Sequence, residues 1–142
     1  MKKIILILFL QALFTNVSNA QKLISSLSEL YKINEYEAKF INKPLSILLG
    51  EIQPSIIRVI GSPSSQNNSS SAFMMYFITD EEKNKLEAKG IKPIHLFIII
   101  KEDFKWNVKE RYNNNKRNWS IEDLQNYGHL TVTSVDVIGE LY

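Results

Sequence analysis

The chain has 142 residues, no cysteine, 17 basic and 15 acidic side chains, and two histidines. Without cysteine there are no disulfides, zinc-thiolate sites or thiol nucleophiles, so a hydrophobic core alone must hold the fold. Residues 1–20 carry Lys2, Lys3 and no acid, leaving fifteen charges of each sign beyond them. That balance gives no global pull toward nucleic acid or an anionic membrane, and no nucleic-acid partner is expected.

The first segment reads as a cleavable signal peptide. Lys2 and Lys3 are followed by the apolar run Ile4 to Leu10 with Ala12, Leu13 and Phe14, and Ser18-Asn19-Ala20 forms a small-x-small cleavage site before Gln21. A spanning helix needs roughly 20 apolar residues, and Gln11 interrupts a run about half that long. The expectation is export to a periplasm or the medium, with no membrane span left after cleavage. Residues 21–142 are then one domain.

Apolar positions three and four apart in residues 22–41 predict one amphipathic helix. Pro44 suits a first helical position, Leu45, Leu48, Leu49 and Ile52 make one stripe, and Pro54 ends it. Ile56-Ile57-Arg58-Val59-Ile60, closed by Gly61-Ser62-Pro63, predicts a strand. Residues 64–71 hold five serines, two asparagines and a glutamine and read as an exposed loop. Residues 72–79 are apolar on both faces, as in a central strand.

Thr79 with Glu82 forms a capping box that predicts a polar helix over 80–89, stopped by Gly90. Residues 94–100 read as the innermost strand, Lys101-Glu102-Asp103 as a hairpin turn, and Phe104, Trp106 and Val108 as the inward side of a half-exposed strand. After the Asn113-Asn114-Asn115 loop, Ser120 and Asp123 cap a short helix, and residues 130–138 form the last strand. The fold class is α+β: a single small domain with a mostly antiparallel sheet of four or five strands and helices packed on one face.

No chemical motif stands out. His95 and His129 lack metal-ligand spacing with each other or with Asp136 or Glu140, so no metal or cofactor is expected, and no G-x-S-x-G elbow or phosphate loop occurs. Asn67, Asn68 and Asn118 sit in N-x-Ser acceptor patterns. Residues 104–119 are the candidate partner-binding surface, with Lys105, Lys109, Arg111, Lys116 and Arg117 against Glu110, a local charge of +4. Trp106, Tyr112 and Trp119 are interleaved with those cations, a mixture that suits an acidic protein face or an anionic glycan. Alternation itself predicts the opposite: aromatics inward, lysines solvated outside.

Two functions follow. The first is a non-catalytic exported interaction protein, an inhibitor, immunity-type protein or accessory subunit, whose partner is an exported protein or envelope component. The second is an exported glycan-binding module or polysaccharide-acting enzyme with Trp106, Tyr112 and Trp119 as stacking platforms. Burial of those aromatics separates the two.

Overall fold

β-branched and aromatic runs become four strands: β1 (Arg58–Pro63), β2 (Ser70–Tyr76), β3 (His95–Phe104) and β4 (Val132–Ile138). They appear in a computed structural model that describes residues 21–63 and 69–141, apart from the Val108 side chain. The signal-peptide reading and the middle of the polar loop, with Asn67 and Asn68, lie outside the described residues. The strands form one antiparallel sheet in the order β1-β2-β3-β4, so each strand pairs with its neighbour in the chain and the contacts stay local.

Register separates the two faces. Val59, Met75, Leu96 and Val137 form one inward row, and Gly61, Phe73, Ile98 and Val135 the next. These residues share a core with Ile24, Leu30, Ile33, Phe40, Leu45 and Leu48 from the N-terminal segments. Ile60, Met74, Phe97 and Asp136 form a row on the opposite face. β2 therefore carries apolar side chains on both sides, as its sequence predicts.

Residues 22–41 are not one helix. They fold as a 3-10 turn (Leu27–Glu29), the single-turn helix α1 (Lys32–Glu35) and a second 3-10 turn (Glu37–Lys39). The competing force is backbone pairing at both ends. Ile24 bridges Ile52 in parallel and exchanges hydrogen bonds with Glu51 and Gln53, so the start is extended. At the other end Asn34 Oδ1 accepts the Val137 N–H at 3.1 Å, and the Glu37 carboxylate accepts that of Val135 at 3.4 Å. Asn42 and Lys43 also exchange hydrogen bonds with Val132. Short turns thus present polar side chains to the outer edge of β4, an edge that would otherwise invite foreign strands.

Helix α2 (Leu45–Gly50) starts after Pro44, which serves as its N-cap with ψ 141°, and buries Leu45 and Leu48. Helices α3 (Asp80–Glu87) and α5 (Ile121–Tyr127) begin at the two predicted capping boxes, Thr79 with Glu82 and Ser120 with Asp123.

The predicted hairpin at residues 101–103 does not form. β3 continues to Phe104, held by Lys101 N–H on the Thr131 carbonyl and by the Glu102 carboxylate, which accepts the Thr131 N–H at 2.8 Å and hydroxyl at 2.7 Å. The predicted strand beyond it is a helix, α4 (Val108–Asn113), capped by Asn107 Oδ1 on the Glu110 N–H at 3.1 Å. The Asn-x-x-Glu spacing is a capping signal that the alternation of Phe104 and Trp106 had masked.

Gly61 makes room for that rearrangement. A Cβ there would lie 2.7 Å from Trp106 Cβ and Cγ and 2.8 Å from Ser70 Oγ. Gly61→Ala is expected to cost about 1–3 kcal/mol through overpacking, read as a lower urea midpoint. An unchanged midpoint would mean that Trp106 does not rest on this backbone.

Candidate functional site

The aromatics of residues 104–119 divide by burial. Phe73 stacks on Phe104 at 4.3 Å and meets Trp106 and Trp119 edge-on at 5.2 and 5.6 Å. Trp106 is 7% exposed, and Trp119 is half-buried against the same cluster. Tyr127 closes the group and donates its hydroxyl to the Lys105 carbonyl at 2.9 Å. Of the three expected stacking platforms, Trp106 is therefore a core residue, Trp119 packs half-buried against the core, and Tyr112 is 59% exposed.

The cations divide as well. Arg111 lies 4.0 Å over the Trp106 ring and forks onto Asp123 at 2.6 and 2.9 Å, with a further bond to the Asn118 carbonyl at 3.0 Å. It is an internal clamp joining α4 to α5. Lys105, Lys109 and Lys116 are exposed. Arg117 is half-buried, its guanidinium 3.9 Å from the Tyr112 ring centre.

Local folding places Arg117. The Asn115 N–H bonds the Tyr112 carbonyl at 3.2 Å and the Lys116 N–H bonds that of Arg111 at 2.8 Å, with Asn115 left-handed at φ 55°. This is a Schellman stop, with asparagine where glycine is commoner. The chain reverses and runs along the outer edge of β1, where the Val59 N–H donates to the Arg117 carbonyl at 2.8 Å and the Trp119 N–H to that of Ile56 at 3.3 Å. Arg117 thereby reaches Arg58 of β1 and Asp80 of α3.

Asp80 is shared. Its Oδ1 lies 2.9 Å from Arg58, and its Oδ2 pairs with Arg117. Beside this triad opens a cleft of about 360 Å³, with Asn115 and Asn118 also on its wall. Arg58, Asp80 and Asn115 escaped the sequence reading as site residues, since Arg58 reads as a strand position, Asp80 as a helix-dipole acid and Asn115 as loop. Nothing in their spacing ties residues 58, 80 and 117 together. The cleft wall is mostly charged and polar, and the Thr79 hydroxyl on it is committed to capping α3.

The histidines sit apart from each other. His129 is exposed. His95 is buried, stacked on Tyr76 at 4.6 Å, with Nδ1 3.0 Å from the Pro93 carbonyl. Among the described residues no group of three or more histidine, aspartate or glutamate side chains is placed to hold a metal ion. Burial, reinforced by Lys92 and Lys83, lowers the His95 pKa from 6.5, against the raising effect of the Pro93 carbonyl. The unfolded chain then binds a proton that the folded one refuses, so stability is complete above about pH 6.5 and falls as the pH drops below it. His95→Gln is expected to flatten that decline below about pH 6.5, measured by urea unfolding at each pH. A slope unchanged by the substitution would assign it elsewhere.

Compared with protein-family models, with curated proteins and with solved structures, the chain matches none.

Proposed function

We propose that this chain is an exported, non-catalytic binding protein that docks an acidic protein face, as an inhibitor, immunity-type protein or accessory subunit would. The carrying observation is the surface where exposed Tyr112 meets Arg117, Arg58 and Lys116, the two arginines sharing Asp80. An exposed tyrosine beside arginines is the composition that dominates binding energy at protein interfaces, and surplus positive charge steers an acidic partner toward it. Trp106 and Arg111 stand on the same cleft, the guanidinium lying over the indole, and Lys105 and Lys109 are further exposed cations of the segment. The glycan reading is the weaker one, since Trp106 is buried and Trp119 half-buried, which leaves Tyr112 as the one exposed ring of the three. The reading needs no membrane span, and no helix among the described residues is long and apolar enough to cross one.

The test is capture from the source cells with the full-length chain carrying a C-terminal tag, after crosslinking, with the intact mass of the recovered chain as a check on export. The expected result is a chain shortened by residues 1–20 and one stoichiometric acidic protein. Its recovery should fall at least about tenfold in Tyr112→Ala/Lys116→Glu with unfolding unchanged. Equal recovery with the variant would overturn the assignment of this surface, and an unshortened chain would overturn export.

A further inference from the structure

We infer that Arg58 and Arg117 form a preorganised subsite for one carboxylate, supplied by an aspartate or glutamate side chain of the acidic partner; this rests on the binding reading above and deepens it. Charge comes first. Two guanidinium groups share Asp80, leaving one positive charge over. The other acid on the cleft wall, Glu81, is already paired with Lys85 at 2.6 Å. Excess charge beside a cleft is what an incoming anion neutralises.

Donor geometry comes second. Arg58 Nη1 is 2.9 Å from Asp80 Oδ1, yet that oxygen accepts no hydrogen bond, so the contact is one of charge. Arg117 Nε is likewise buried without a hydrogen-bond partner. A guanidinium presents five donors in a planar fork, and each of these two commits few of them to Asp80. Asn115 and Asn118 add amide donors on the same wall.

Rigidity comes third. Arg117 is stacked on Tyr112 and its backbone is tied to Val59, while Arg58 packs 5.7 Å from the Tyr76 ring. Ordering long side chains is a large part of the entropic cost of binding, and here the fold has met much of it beforehand. The ligand's charge is also limited. One carboxylate brings the cluster to neutrality, whereas a phosphate dianion would leave it with a net negative charge.

The test uses sodium acetate as the probe on the full chain at pH 7, with sodium chloride at matched ionic strength, read by nitrogen-15 NMR. Saturable shifts are expected at the Arg58 and Arg117 Nε–H and the Asn115 and Asn118 side-chain amides. Binding should be roughly tenfold weaker in Arg117→Gln, from loss of a charged hydrogen bond. Arg58→Gln serves as the second variant should the first disturb folding. Shifts matched by chloride, or unaltered in both variants, would overturn the subsite. Phosphate binding tighter than acetate would overturn the carboxylate assignment. Acetate saturation without a captured acidic protein would sustain the subsite and sink the partner reading. An acidic protein lost on Tyr112→Ala/Lys116→Glu, with no acetate shifts, would do the reverse.

Discussion

Asp123→Ala is expected to destabilise the fold by about 3–5 kcal/mol, the cost of leaving a buried charge unpaired. Asp123 is 3% exposed. Its carboxylate accepts both arms of Arg111 at 2.6 and 2.9 Å, the Ser120 N–H at 2.8 Å and the Ser120 hydroxyl at 3.0 Å. Removing it strands the Arg111 guanidinium over Trp106 and strips the α5 cap in one step. Arg111→Ala should fall at the lower end of that range, because the carboxylate it leaves behind keeps its bonds from the Ser120 N–H and hydroxyl and with them the α5 cap. The double variant Arg111→Met/Asp123→Leu should be more stable than the summed single losses imply, since it leaves neither charge behind. Urea unfolding of the four proteins measures this directly. Losses below about 1 kcal/mol, the range of exposed pairs, would show that the clamp is hydrated.

Trp106→Ala is expected to cost a further class of energy, about 3–5 kcal/mol from a vacated core position. The indole fills the space above Gly61 and meets Phe73, Trp119 and Tyr127 at 5.2, 6.4 and 5.3 Å. Trp119→Ala should cost less, because that ring is only half-buried. Together the two losses approach the whole stability of a domain this size, roughly 5–15 kcal/mol, so Trp106→Ala/Trp119→Ala should lose its cooperative thermal transition in near-ultraviolet circular dichroism. If the double variant instead melts cooperatively and has lost its partner, the tryptophans are the docking platform, and the surface around Tyr112 and Arg117 is not.

The strands were legible because their signal is local. Residues 72–79 and 94–100 carry more apolar side chains than one sheet face can use, and both became central strands. The two capping boxes were equally legible, for Thr79 with Glu82 and Ser120 with Asp123 satisfy helix N–H groups within a single turn. Residues 22–41 failed where local periodicity met long-range competition: Ile24 is bound to the α2 end, and Asn34 and Glu37 to β4. Residues 104–109 failed because two burial positions, Phe104 and Trp106, mimic a strand while the chain between β3 and α4 is already leaving the sheet.

The candidate site shows the same division. Chain order by itself determined that residues 104–119 concentrate aromatic and positive side chains, since that is composition. Which of them face a partner was decided by packing: Gly61 leaves space for Trp106, Asp123 takes Arg111, and Tyr112 is left outside beneath Arg117. The pairing of Arg58 with Arg117 across Asp80 was decided by tertiary structure alone. It depends on the register of β1 against β2, on the Schellman stop at Asn115, and on where α3 leaves the sheet. Each is a relation between segments distant in the chain, and the spacing of residues 58, 80 and 117 encodes none of them.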